Sequence, residues 1–99
     1  TLNFNNFYPS TYHNFGVAYL QKYDLNKSDQ NLKKAAMSNF EYSAIMAPNN
    51  ALYLYETAKI YLNLGEKEQA RKFLEKILQI QLDYRDTKLL LANIDKPDR

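Results

Sequence analysis

Cysteine is absent from these 99 residues, and histidine occurs once, as His13. The first absence excludes disulfides, thiolate nucleophiles and cysteine-ligated metal. The second leaves a lone imidazole that cannot build a transition-metal cage by itself. Glycine occurs only twice and proline three times, which points to helices joined by few loops. No apolar run approaches the ~18 residues needed to span a bilayer. Charge of neither sign dominates, because 13 basic and 11 acidic residues are intermingled to a formal net charge of +2. No electrostatic footprint for nucleic acid or for a membrane surface results. Glycine-rich phosphate loops, HExxH and GxSxG are also missing. Acidic residues stand singly, and only Glu56, between Tyr55 and Thr57, sits on an otherwise apolar stretch. Acid–base catalysis needs two converging carboxylates, so the expectation is a chain with no catalytic residues, no cofactor and no metal.

What the chain does have is helical periodicity. Residues 51–82 read as two amphipathic helices joined at Gly65. Leu54, Ala58, Tyr61 and Leu62 recur at helical spacing in the first, and Ala70, Phe73, Leu74, Ile77 and Leu78 do so in the second. Gly65 falls where the chain must leave the first helix, and a residue without Cβ adopts the left-handed cap conformation at no steric cost. A hairpin of about 30 residues cannot hide both of its apolar stripes alone, so it needs a neighbour.

A second copy is present. Tyr12, Phe15, Gly16 and Tyr19 align with Leu54, Thr57, Ala58 and Tyr61, and Ala36 and Phe40 precede Ala70 and Leu74 by 34 positions. Gly16 precedes Ala58 by 42, so eight extra residues lie inside the first copy. A partial third copy begins after Asp83, where Leu91–Ala92 follows Thr57–Ala58 by 34. In the first copy Pro9 starts a helix, Ser10 to Tyr23 carry the inner helix, and Leu32 to Ala47 the outer one, which Pro48 stops. Asp24 to Asn31 (DLNKSDQN) is the insertion, expected to turn and to cap a fresh helix. Its alternating Asp24, Asn26 and Ser28 resemble a calcium loop, but Asp29 stands where glycine is required and Ala35 where a bidentate glutamate is required. Asn26–Lys27–Ser28 is formally a glycosylation acceptor, relevant only in a secreted eukaryotic context. Asn49 and Asn50 are expected to turn and cap the central helix, Glu68 and Lys72 to pair along an exposed face, and Asp83 to open the last helix.

These residues resemble the tetratricopeptide repeat family. Its pattern, a large residue, then Leu-Gly, then Tyr, with a later Ala-x3-Phe and a closing Pro, is met by Tyr12, Phe15, Gly16, Tyr19, Ala36, Phe40 and Pro48. In the second copy Leu54, Ala58, Tyr61, Ala70 and Leu74 fit, while Thr57 and Leu82 depart from the pattern. The resemblance implies an all-α fold of antiparallel helical hairpins stacked as a right-handed α-solenoid. It would comprise a tail over 1–8, one repeat over 9–48 with its insertion at 24–31, a second repeat over 49–82, a capping helix over 83–95 and a tail over 96–99. Thr1 is not an initiator methionine, and a terminal helix as apolar as Leu89–Leu90–Leu91 is expected to meet further repeats or a second chain, so the sequence reads as an excised piece of a longer protein.

Stacked hairpins of this kind curve, and their inner helices line a concave wall. The residues there not consumed by packing are His13, Asn14, Val17 and Gln21, then Leu52, Tyr55, Glu56, Lys59 and Asn63, then Asp86, Leu89 and Asn93. The family's clamp for a peptide's terminal carboxylate does not transfer, because Val17, Glu56 and Asp86 stand where amide or basic groups are wanted. The expectation is a mixed polar and aromatic groove for a protein or peptide partner, with Tyr55 as its anchor. The alternatives are a structural module that self-associates through Leu89 and Leu90, or an accessory tail on a larger enzyme or membrane protein. Neither nucleic acid nor membrane contact is expected of this segment, and the compartment stays open.

Overall fold

The computed structural model describes residues 8–96, and the two tails expected at 1–8 and 96–99 lie almost wholly outside them. Five helices follow in order: α1 Pro9–Leu25, α2 Gln30–Met46, α3 Ala51–Asn63, α4 Lys67–Ile80 and α5 Thr87–Asp95. No strand occurs among the described residues, and no helix there is long and apolar enough to cross a membrane. The chain divides after Pro48 into two compact units.

In the first unit α1 and α2 form an antiparallel hairpin. Pro9 occupies the first turn of α1, where its missing amide leaves nothing unsatisfied. Tyr12, Gly16, Ala36, Phe40 and Ala44 are buried, with Ala36 and Phe40 wholly enclosed. Gly16 sits under the Phe40 ring, so close that a Cβ there would lie 2.8 Å from Phe40 Cε1. Phe15 and Tyr19, expected within the apolar stripe, are instead 47% and 37% exposed. Tyr12 meets Phe15 edge-on at 6.4 Å and Tyr42 at 5.6 Å, so one buried ring stands between two exposed ones.

The insertion lengthens the two helices more than the connection between them. Asp24 and Leu25 complete α1, Gln30 and Asn31 begin α2, and only 26–29 intervene. Compared with the second unit, α1 is four residues longer than α3, α2 is three longer than α4, and the connection is one longer, which together account for the eight extra positions. The N-cap is Asp29, whose carboxylate accepts from the Asn31 amide at 3.0 Å. Within the turn, the Ser28 hydroxyl donates to Asn26 Oδ1 at 2.7 Å.

The second unit packs α3 on α4 and α4 on α5. Leu54, Ala58, Tyr61, Ala70, Leu74 and Ile77 are all fully enclosed, each large member contributing ~1.5–3 kcal/mol relative to exposure. Tyr61 packs edge-on against Phe73 at 5.4 Å. Asn50 caps α3 by accepting from the Tyr53 amide at 3.1 Å. Gly65 has φ +80°, as its place after α3 predicts. The Glu66 amide donates to Tyr61 O at 2.9 Å and the Gly65 amide to Leu62 O at 3.1 Å. This paired closure satisfies the last carbonyls of α3 and reverses the chain into α4. Glu68 pairs with Arg71 at 3.3 Å, one residue short of the expected Lys72.

The last helix starts later than its sequence suggests. Instead of opening a helix at Asp83, the chain makes two turns, with the Tyr84 amide donating to Gln81 O and the Thr87 amide to Tyr84 O, each at 3.2 Å. Arg85, between them, has φ +43°, a left-handed conformation that costs a non-glycine residue ~1–2 kcal/mol. At the far end of α5, Arg71 Nη1 binds Asp95 Oδ1 at 2.6 Å and ties that end to α4.

Candidate functional site

The candidate residues fall into three groups by burial. Asn14, Gln21, Leu52, Lys59, Asn63, Asp86, Leu89 and Asn93 are exposed, Val17 and Glu56 are half-buried, and His13 and Tyr55 are buried. His13 was expected to face outward but is only 9% exposed, its ring edge-on to Phe40 at 5.2 Å. The reason lies three residues on. Gly16 draws α2 close to α1, and a side chain at i−3 lies on the same helix face, where the approaching helix covers it.

In the second unit, Leu52, Glu56, Lys59 and Asn63 recur at intervals of four, three and four along α3, so they form one outward stripe. Three of the four are exposed, and Leu52 keeps 39% of its surface open. Beside the stripe lies Tyr55, expected to be its exposed aromatic anchor. It is only 6% exposed, because residues 84–86 cover it. The Tyr84 ring meets it edge-on at 5.6 Å and 64°. The Arg85 guanidinium sits 5.2 Å from the Tyr55 centroid and 5.5 Å from that of Tyr84. From within α3, Lys59 Nζ approaches the Tyr55 ring to 5.5 Å. Both cations gain from the negative face of an aromatic ring. The Tyr55 hydroxyl donates to Asp86 Oδ1. That bond, more than burial, raises the phenol's pKa above its ordinary 10.0, since losing the proton would set two anions side by side.

The arrangement therefore brings Tyr55, Lys59 and Asp86 together and adds Tyr84 and Arg85, which the repeat pattern did not point to. Residues 81–86 carry no helical period. The only sequence signal there is a single arginine among acidic neighbours. Chemically the cluster can hold and present charge and hydrogen bonds. Among the described residues no group of three or more His, Asp or Glu side chains is placed to hold a metal ion.

Comparison with known proteins adds one finding. A family model described as "Tetratricopeptide repeat" matches residues 51–84, which span α3, α4 and the first turn after them. Among curated proteins, none matches the sequence.

Proposed function

Because the chain carries a tetratricopeptide repeat over residues 51–84, in a family whose members typically mediate protein–protein interaction without catalysis, we propose that the outward stripe of α3 is its partner-binding face. The observation that carries this reading is the run of Leu52, Lys59 and Asn63, exposed along one face of α3 at intervals of seven and four residues. The run offers an apolar contact, a cation and a two-way hydrogen-bonding amide in one line. An extended peptide or a partner helix can use all three, and Glu56 between them sets a preference in charge. Tyr55, covered by the 84–86 turn, supports the stripe from behind by fixing Lys59 over its ring.

The test is proximity cross-linking of the protein in cells followed by mass spectrometry. Replacing Leu52, Lys59 and Asn63 together by alanine is expected to remove cross-links to the partner. Replacing Lys72 and Lys76, exposed on α4, is expected to leave them. Retention of every cross-link in the triple variant refutes the assignment of this face.

A second reading has its own observation. Leu82 and Leu89 are 65% and 59% exposed, two large apolar side chains that a second copy of the chain would cover. Sedimentation at micromolar concentration decides it. A dimer dispersed by Leu89→Lys favours self-association, and a monomer at all concentrations rejects it.

A further inference from the structure

Helix α5 is the least securely built element of the second unit. Its nine residues are fewer than the ~12–15 an isolated helix needs. Thr87 is its only fully buried side chain, with Leu90, Leu91 and Ile94 half-buried and Leu89 open. Two polar contacts fasten its ends: Arg71 with Asp95 at one, Tyr55 with Asp86 at the other.

Asp86 is also the N-cap residue of α5, and there it departs from Asp29 and Asn50, the two N-caps whose side chains do bond; α1 and α4, which follow Tyr8 and Glu66, have no side-chain cap either. Asp29 and Asn50 have ψ of 90° and 93°, and each side chain accepts a first-turn amide. Asp86 has φ −98° and ψ 28°, and no side chain caps α5 at all. Its carboxylate is turned away from the amides of Lys88 and Leu89, where a cap would bond, and onto the Tyr55 hydroxyl. Arg85, the residue that makes this turn possible, is held at φ +43°. One carboxylate thus has two competing sets of donors, and the position it occupies leaves helix amides uncapped and a backbone in a disfavoured region.

We propose that Asp86 is the pivot of a two-position latch. In one position, the one described here, it holds the Tyr55 hydroxyl and residues 84–86 cover the ring. In the other it swings onto the amides of Lys88 and Leu89, Arg85 relaxes out of the left-handed region, and Tyr55 is released beside Leu52, Lys59 and Asn63. The inference rests on the reading of α3 as the partner-facing helix. It adds that a partner presenting a hydrogen-bond acceptor, such as a backbone carbonyl of an extended peptide, takes Asp86's place on the Tyr55 hydroxyl. Such a partner binds one position better than the other and so shifts the balance between them.

Amide hydrogen exchange on the intact chain, followed by NMR with no partner present, tests the latch. In Tyr55→Phe the carboxylate has only the cap to bind, so exchange at Lys88 and Leu89 is expected to slow about fivefold, the factor a typical N-cap supplies. In Asp86→Ala both bonds are lost, and exchange across 87–95 is expected to quicken. Unchanged or faster exchange at Lys88 and Leu89 in Tyr55→Phe overturns the proposal, since Asp86 would then be a plain staple. Unchanged exchange in Asp86→Ala overturns it as well. Because no partner enters the measurement, the latch can fail while the α3 face stands, and the cross-linking result can fail while the latch stands.

Discussion

Replacing Gly16 by alanine probes the tightest contact in the first unit. An added Cβ would lie 2.8 to 2.9 Å from three atoms of the Phe40 ring, against about 3.4–4 Å for ordinary contact. Either the ring or the helix pair must move by about half an ångström or more. The ring has nowhere to go, since Phe40 is fully enclosed and His13 stands against it at 5.2 Å. Overpacking of this sort costs ~1–3 kcal/mol, while alanine's better helix propensity offsets about 1 kcal/mol. With Phe40 enclosed on all sides the overpacking falls in the upper part of that range, about 2–3 kcal/mol, and the expected net loss is about 1–2 kcal/mol. With a urea m-value of roughly 2 kcal/mol/M, the midpoint of unfolding, followed by far-UV circular dichroism, should fall by about 0.5–1 M. The equivalent positions in the second unit are Ala58 and Leu74, both fully buried, so that unit pairs a larger small residue with a smaller large one. Gly16→Ala combined with Phe40→Leu imitates that pairing and should be less destabilised than the two single changes added together, by a coupling of about 1 kcal/mol or more. A midpoint at or above the wild type in Gly16→Ala, or strict additivity in the double variant, refutes the reasoning.

Four further outcomes are expected. Gly65→Ala meets nothing within 4 Å, yet its φ of +80° is strained for any residue with a Cβ, so thermal unfolding should show a loss of about 1 kcal/mol. Asn50→Ala removes the side chain that accepts from Tyr53 and should cost about 1 kcal/mol in the same assay. Thr57 is 1% exposed and its hydroxyl oxygen has no hydrogen-bond partner, so Thr57→Val, of the same shape, should raise stability by about 1 kcal/mol. An unchanged or lower midpoint there would mean the hydroxyl is satisfied. For Tyr55, the folded-state pKa lies above the ordinary 10.0. The stability it contributes is therefore complete below pH ~10 and lost as pH rises through the folded value. Wild type should lose stability relative to Tyr55→Phe above pH ~10, and parallel alkaline denaturation curves would contradict this.

Much of the helical frame was legible because it follows from spacing. Leu54, Ala58 and Tyr61, or Ala70, Leu74 and Ile77, fall on one face of any α-helix, and burying that face is the largest available gain. Pro9, Asn50 and Gly65 mark helix ends by backbone chemistry that needs no tertiary context. The polar run DLNKSDQN misled because local preferences for turns are weak. Asp24 and Leu25 stay helical where α1 still has α2 beside it, and the break comes only at 26–29. Asp83 misled in the opposite way, since an aspartate before an apolar run resembles a cap, while the chain here spends two more turns and an arginine at positive φ before helix resumes. Nothing in an arginine's chemistry announces that conformation. The α3 stripe was readable as periodicity. The covering of Tyr55 was not, because Asp86 meets it across 31 positions through a segment with no period of its own.

The matched lengthening of α1 and α2 constrains how this hairpin can change size. Two antiparallel rods packed on each other must grow or shrink in step, because a turn added to one alone would stand bare. Deleting four residues from α1 only would leave about 6 Å of α2, at 1.5 Å per residue, facing water with its apolar side. Trimming both arms near the 26–29 bend would simply bring the hairpin toward the length of the α3–α4 pair. Viable length variants of this module are therefore those in which the change is shared across the bend.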